Sequence, residues 1–481
     1  MQKRFVSGIL VSLSLNLLIK PFSVLVIDAG VQRSIGNVEY GKYFALLSLT
    51  LITNILLDLG INNYTVRNIA QDEKRISYHI NNILPFRFVL FLLYALSVII
   101  SAYVFDLIES NLTVLILLIL NQFLVQNIAL LRSFFSGQHR FILDSFVSVL
   151  DRALLILIIG LTFIQLPDWI TIQYFVFIQF VCYAVTLIFA FVCFRGVIHW
   201  SSVSWNWTYI RTILTESVPY AALVLFMLIY NRADTLLIRL LANNGAYETG
   251  IYAQGFRLYD ALYMVGIIFA SVLFPMFSRM LHRKDTQIND LIEMSSKWLI
   301  GGVLALVFVA IENADVILSS LYKNQVTQDS SFVFIGLMLA FLAMSFNFIF
   351  GTLLTANGNL KILNRISIVG AILSVALNII FIPIAGAKGA VVIAIITQTT
   401  VSCSLVYFSY QKIKFKTSLT TWFSLLMFAC FLCCLHPLLN MAPRLLIPIL
   451  SLLLAIFGSF WFSLLEIKKI YSSLFKETNL Q

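Results

Sequence analysis

Apolar runs of about 20 residues recur from one end of this chain to the other, each long enough to cross a hydrocarbon core about 30 Å thick as a helix. Inside a bilayer no backbone polar group can turn to water, so such runs must form helices or a closed barrel. A barrel would show alternating segments of about 10 residues, whereas these runs are continuous. The expected class is therefore an all-α integral membrane protein. Composition agrees: 60% of the 481 residues are hydrophobic, 11% are charged and the mean hydropathy is +0.94. Ordinary soluble domains carry about 25% charged residues.

About fourteen spans can be marked, at 6–28, 40–60, 84–106, 113–135, 142–165, 172–194, 217–241, 250–278, 296–318, 331–354, 366–384, 387–410, 421–440 and 445–466. The opening segment has a basic start like a signal peptide. Its apolar run is too long for one and no small-x-small site closes it, so it reads as a retained first helix. Cys182, Cys193, Cys403, Cys430, Cys433 and Cys434 all fall within spans, which points to packing rather than disulfides or metal. "CFLCC" at 430–434 has no second pair to complete a metal site. No cofactor or resident metal is expected.

Lys and Arg in alternate loops set the topology. The loops assigned to the inside carry twenty, from Lys3 and Arg4 through Arg67, Lys74 and Arg75 to Lys468, Lys469 and Lys476. The opposite loops carry four: Arg33, Lys323, Lys388 and Arg444. Both termini are thus expected on the cytoplasmic side of the membrane. The net charge of +10 follows from this asymmetry and from anionic lipid in the surrounding bilayer, and requires no nucleic acid partner.

Between spans six and seven, "HWSSVSWNWTYIRTILTESVPYA" at 199–221 holds Trp200, Trp205 and Trp207, as expected of a segment lying on the membrane interface. It divides the chain into a six-helix half at 1–198, an interfacial linker at 199–216, a second six-helix half at 217–410, and two further helices with a tail at 411–481. The halves echo each other. "EYGKYFALLSL" at 39–49 and "ETGIYAQGFRL" at 248–258 match at Glu39/Glu248, Gly41/Gly250, Tyr43/Tyr252 and Leu49/Leu258, an offset of 209. An even number of helices per half makes the repeat parallel, about an axis along the membrane normal, and two such bundles can rock around a central cavity.

Eight basic residues fall within spans. Lys42, Arg87, Arg132 and Arg239 lie near span ends, where their heads are expected to snorkel to the interface. Lys20, Arg152, Arg232 and Arg257 lie deeper, where a charge costs about 2.5–3.5 kcal/mol and should face a cavity or a partner. At 1.5 Å per residue, Arg232, Asp234, Arg257 and Asp260 share a layer roughly 10–17 Å below the outer surface. Lys20, beside the helix-bending Pro21, lies at comparable depth in span one.

These charges therefore allow a cationic, acid-buffered layer that contacts an anionic ligand. They also allow plain ion pairs. Arg257 and Asp260, spaced i, i+3, can neutralise each other, and Asp151 can balance Arg152. Arg232 and Asp234, two apart, need different partners. Asp234 and Asp58 read as cation or proton sites, or as helix caps and helix-to-helix ties. No GxxxxGK[ST] occurs, so energy is expected from an ion gradient, the membrane potential or the substrate gradient. The 41 phenylalanines and 19 tyrosines single out no sugar-stacking residue.

"RSIGNVEYGKYFALLSLTLITNILLDLGINNYTVRNIA" at 33–70 resembles the signature of Wzx-type polysaccharide flippases: Gly36-x-x-x-Tyr40-Gly41, then Asp58-Leu59-Gly60, then Arg67. "SVPYAALVLFMLIYNRADTLLI" (217–238), "GIYAQGFRLYDAL" (250–262), "SVLFPMFSRML" (271–281) and "TANGNLKILNRISIVGAILSVALNIIFIPIAGAKGA" (355–390) continue the likeness in family order. The resemblance implies the multidrug/oligosaccharidyl-lipid/polysaccharide exporter fold, two six-helix bundles plus two C-terminal helices. It implies as substrate an undecaprenyl-diphosphate-linked oligosaccharide turned from the cytoplasmic to the periplasmic leaflet for O-antigen or capsule assembly. The same resemblance implies work alongside a polysaccharide polymerase and a chain-length regulator. It makes Arg232, Arg257 and Lys20 the positions expected to meet the diphosphate or acidic sugars, with Arg152 beside them, and an H+ or Na+ gradient the expected coupling.

Other readings remain open at this point. A MATE-type drug exporter shares the core but normally stops at twelve helices. A lipid II flippase also has fourteen. A membrane polymerase or glycosyltransferase would suit the hydropathy, yet such enzymes usually need a large outside loop, and the outside loops here are about a dozen residues or fewer.

Overall fold

The structure, a computed structural model, describes residues 15–71, 76–108, 112–138, 140–195, 206–439 and 446–462. These residues are helical throughout their regular structure, and twelve helices are long and apolar enough to cross a membrane. In chain order they begin α1 (Leu15–Ile35), α2 (Asn37–Asp58), a short α3 (Ile61–Gln71) and α4 (Ile76–Val104). The first half ends with α5 (Leu112–Gly137), α6 (Phe141–Gln165) and α7 (Ile172–Arg195). The second half holds α8 (Trp207–Leu241), α9 (Gly245–Arg283), α10 (Ile288–Glu312), α11 (Ala314–Tyr322), α12 (Gln328–Ala356) and α13 (Leu360–Ile413). Appended to them are α14 (Leu419–Leu439) and α15 (Ile447–Trp461).

Twelve candidates against the expected fourteen spans has a physical reason. α13 is 54 residues long, far more than one crossing, and Gly386 interrupts it at φ 55°, ψ −136°. A side-chain carbon added at Gly389 would lie 2.7 Å from the Phe381 carbonyl oxygen. Eight residues of straight helix would separate those positions by about 12 Å, so the chain folds back here. Glu248 caps the fold-back, its Oε2 accepting from the Ala387 amide at 3.0 Å. Within the described residues α15 is a shorter apolar helix, Ile447–Ser459 by composition. Residues 1–14, Lys74, Arg75, Trp200, Trp205, Arg444 and the tail from 463 on, Lys468, Lys469 and Lys476 among them, lie outside the described residues.

The described part of the linker, from Trp207, and span seven form one helix. α8 runs unbroken from Trp207 through Pro219 to Leu241, because Ile210, Ile213, Ser217 and Ala221 keep one buried face at i, i+3 and i+4 spacing. Its first turns join a core of the first half, where Ile210 and Ile213 pack with Ile61, Ile80 and Phe134. Its later turns, from Leu223 on, pack with the second half. Asn206 caps the helix and receives the first half directly: its N–H donates to Asn82 Oδ1 and its side chain to the Tyr78 hydroxyl. Tyr209 hydrogen-bonds to His79 Nδ1. α8 is thus shared between halves, which the sequence boundary at 216/217 does not convey.

Candidate functional site

The two halves meet most closely where the sequence repeat placed its matching glycines. α2 and α9 cross at Gly41 and Gly250, the equivalent positions of the two repeats. A Cβ on Gly41 would stand 1.9 Å from the Ala246 carbonyl oxygen, and one on Gly250 would stand 2.1 Å from that of Asn37. Only glycine permits backbones to approach this far. Three carboxamides bracket the crossing. Gln32 Nε2 donates to Asn37 Oδ1 and to the Gly250 carbonyl, at 2.9 and 2.8 Å. Gln254 Nε2 donates to Asn37 Oδ1 and to the Gln325 carbonyl, both at 3.0 Å, and Asn37 Nδ2 donates to that same carbonyl. This end of the molecule, opposite the basic loops, is closed.

Directly beneath the crossing lies the charge layer. Arg257 does not pair with Asp260 one turn along, as the i, i+3 spacing allowed. It reaches across to the first half, with Nη1 3.5 Å from Asp28 Oδ2 and Nε donating to the Tyr40 hydroxyl at 2.9 Å. Its guanidinium lies over the Phe44 ring at 4.7 Å. Asp260 is taken instead by Arg232, whose Nη2 reaches both carboxylate oxygens at 2.9 and 3.0 Å. Two cations and two acids are thereby chained across three helices. The chain is incompletely satisfied: Arg232 Nη1 and Asp28 Oδ1 are buried with no hydrogen-bond partner among the described residues.

Asp28 has no role in the sequence reading because it ends the first apolar run and looks like its boundary. In the structure α1 continues to Ile35 and carries a π-helical stretch, Ser23–Asp28, just after Pro21. Proline removes a backbone donor, and the bonding that re-forms one residue wider turns Asp28 into the bundle. Only 2% of it is exposed.

Asp234 points elsewhere, as its two-residue separation from Arg232 requires. Tyr252 Oη donates to its Oδ2 at 3.0 Å, and Asn378 Nδ2 and Ser374 Oγ donate to Oδ1 at 2.7 and 3.3 Å. It ties α8 to α9 and α13 and, among the described residues, has no basic partner. Asn378 Oδ1, on the residue that donates to it, is buried and has no hydrogen-bond partner among the described residues.

The remaining charges separate into two groups. Arg152 lies 3.4 Å from Asp151 and over the Tyr183 ring. Arg132 pairs with Asp144 at 2.7 Å. Lys20 is half-buried in electrostatic reach of all four, without an ion pair of its own among the described residues. Asp58, by contrast, is locked to Arg87 at 3.0 Å, and Arg87 is 2% exposed. Arg87 therefore does not snorkel. Helix α4 begins at Ile76, well before the expected span start at 84, which places Arg87 over a turn inside the helix. Arg239 sits in the last turn of α8 and Lys42 pairs with Glu39, both consistent with interface positions.

Cavities border α8 and α9. One of about 210 Å³ is lined by Arg232, Asp260, Asn231, Phe256, Tyr259 and Tyr263. A second, about 180 Å³, lies further along α8 toward the basic loops and shares Val224 and Leu228 with the first. A larger apolar cavity of about 460 Å³ runs between α1, α9, α10, α12 and α15, lined by residues such as Leu25, Leu258, Ala305, Met338 and Ile456. Leu258, Ala261 and Leu262 line this cavity from one face of α9, whereas Phe256, Tyr259, Asp260 and Tyr263 line the charged one from the opposite face, so α9 separates the two.

A family model described as polysaccharide biosynthesis protein matches residues 5–281. No curated protein sequence matches the chain. Among solved structures, the lipid II flippase MurJ in an inward closed conformation is similar with a TM-score of 0.69 at 14% identity, covering 98% of this chain and 99% of that one. An inward-facing multidrug resistance MATE family transporter of the MOP superfamily is similar with a TM-score of 0.61 at 13% identity, covering 84% and 98%. A mutant form of the Vibrio cholerae MATE transporter VcmN follows at 0.55 and 15%, covering 85% and 96%. At these identities the likeness establishes the fold.

Proposed function

Because the chain belongs to the polysaccharide biosynthesis protein family and has the fold of MOP-superfamily transporters, we propose that it is a flippase for undecaprenyl-diphosphate-linked oligosaccharide repeat units. It carries them from the cytoplasmic to the periplasmic leaflet by alternating access, for O-antigen or capsular polysaccharide assembly, and hands them to a polymerase and chain-length regulator. The basic loops then face the cytoplasm of a bacterial inner membrane, and the Gly41–Gly250 crossing is the closed periplasmic side.

The observation that carries this reading is the Arg232–Asp260 pair lining a cavity on one face of α9, with an apolar cavity on the helix's opposite face. A lipid diphosphate needs both, cations for its head and an apolar path for its tail. Asp28 and Asp260 hold Arg257 and Arg232 in place while the substrate is absent, and a diphosphate competes for the guanidinium groups when it enters. Arg232 presents an uncommitted Nη1 for this exchange. Bidentate guanidinium recognition of phosphate is strong and directional. Lys20 and Arg152 extend the positive lining along the first half.

Asp234 supplies the coupling. A buried carboxylate without a countercharge is costly and is relieved by a proton or a cation. Its position between α8, α9 and α13 lets that binding bias how these helices pack.

The test is replacement of Arg232 or Arg257 by alanine in the native host. Surface polysaccharide should be lost even where Asp28→Asn or Asp260→Asn accompanies the change, removes the unpaired acid and restores the protein's abundance in the membrane. Normal polysaccharide in both variants would remove the charge layer from the mechanism. The second reading, a lipid II substrate, draws on the likeness to the lipid II flippase along 98% of the chain. It predicts rescue of cells depleted of their own lipid II flippase, which the first reading does not.

A further inference from the structure

The cavity nearer the basic loops differs in chemistry from the charge layer. On the first-half side two carboxamides and one neutralised acid, Asn54, Gln126 and Asp58, line it with Ile55 and Gly60; on the α8 side Tyr220 lines it with Ala221, Val224 and Leu228. Asn54 Nδ2 donates to Gln122 Oε1, Gln126 Nε2 to Asn54 Oδ1, and Asn62 Nδ2 to Gln126 Oε1, at 3.0, 3.0 and 3.3 Å. Arg87 closes the network from behind, donating to Asp58, to Asn62 Oδ1 and to the Gln126 carbonyl. A carboxamide has two N–H donors and two acceptor lone pairs. Asn54 and Gln126 each commit one N–H to this network, which leaves the second uncommitted at the cavity wall.

The main chain contributes to the same place. α2 ends here because Leu59 and Gly60 turn at φ 44° and 83°, and the broken helix exposes polar groups at mid-protein depth. A Cβ at Gly60 would meet Ser217 of α8 at 2.9 Å, so the turn is pressed against the second half. Irregular backbone within a membrane protein is tolerated where it lines a cavity. Across the cavity, Tyr220 of α8 is 43% exposed.

We propose that this cavity is a subsite for uncharged, hydroxyl-bearing sugar rings of the lipid-linked glycan. It is distinct from the arginine layer that meets the diphosphate, and it rests on the reading of the chain as a glycan-lipid transporter. Sugar hydroxyls both donate and accept, which matches paired carboxamide N–H and C=O groups, and a sugar's apolar face matches a tyrosine ring. A cation is disfavoured because Arg87 already neutralises Asp58. From Arg232 to Tyr220 is 12 residues of one helix, about 18 Å along its axis, a span that suits sugars beyond the first at the Tyr220 end of the cavity.

The test uses purified full-length protein in proteoliposomes and two probes. One is undecaprenyl diphosphate carrying a single N-acetylglucosamine; the other is the undecaprenyl-diphosphate oligosaccharide extracted from cells lacking this transporter. Gln126→Met removes two of the side-chain bonds while its backbone carbonyl still serves Arg87. Tyr220→Leu leaves the amide network untouched, so it reports even where Gln126→Met fails to fold. Each variant should slow translocation of the oligosaccharide by about tenfold, the effect of losing one or two neutral hydrogen bonds or a stacking contact. The monosaccharide probe should move within about twofold of wild type. Equal loss on both probes, or no loss on either, overturns the subsite while leaving the transporter reading in place. A wild-type protein that moves neither probe overturns that reading itself.

Discussion

The two ends of the boundary between the halves are built from opposite materials. At the closed end, α2 and α9 touch backbone to backbone through Gly41 and Gly250, with amide brackets from Gln32, Asn37 and Gln254. Toward the basic loops a cavity opens between the halves beside the Gly60–Ser217 contact, and α8 packs its first turns in a first-half core and its residues from Leu223 in a second-half core, before Ile238 joins a core shared by both. A glycine crossing has little side-chain surface to unpack, and its amides can exchange partners with water. It is therefore a seal that can part. A helix with side chains embedded in both cores is a tether that must bend. The difference assigns the moving contact to one end and the hinge to the other.

The sharpest way to break this contrast is to fill the crossing. Gly41→Leu places a branched side chain where even a Cβ would lie 1.9 Å from a carbonyl oxygen, so the closed end cannot form. Transport in cells should fall to the empty-vector level, and a cysteine introduced at the buried Thr249, beside Gly250, should become reactive to a membrane-impermeant thiol reagent added from outside. The charge layer beneath comes next. Arg257→Ala leaves Asp28 buried and unpaired, a loss of about 3–5 kcal/mol in soluble proteins, and should lower the melting temperature of the purified protein. Adding Asp28→Asn should recover most of that loss without restoring transport. Asp234→Asn should change stability little, because every partner of Asp234 is a neutral donor. It should leave residual translocation that no longer responds to an imposed proton or sodium gradient. The smallest effect is expected at Lys42→Ala, which removes an exposed i, i+3 pair worth about 0.2–1 kcal/mol and should leave transport unchanged.

Much of this architecture is legible in the sequence because it follows from local rules. Hydropathy marks the helices, and the repeat at 39–49 and 248–258 picks out the two glycines that meet. The spacing of Arg232 and Asp234 separates their partners. What is not legible is which helix faces which. Arg257 lies one turn from Asp260 yet pairs with Asp28, 229 positions earlier in the chain. Helical periodicity tells which face a residue occupies, but the neighbour on that face is decided by packing. Two boundary errors compound this. Asp28 and Arg87 both look like span ends in hydropathy, and both lie inside longer helices where the structure buries them. The amides around Asn54 carry no charge to draw attention in an apolar run, and their convergence depends on the broken end of α2.

The most direct measurement is the distance between spin labels at Val38 and Tyr247, exposed positions that flank the glycine crossing on α2 and α9, in a cysteine-free background. In nanodiscs without substrate the labels should give one short distance. Adding undecaprenyl-diphosphate oligosaccharide should populate a second, longer one, and Gly41→Leu should show the longer distance alone. A single unchanged distance while the reconstituted protein is translocating substrate would contradict a seal that parts at Gly41 and Gly250.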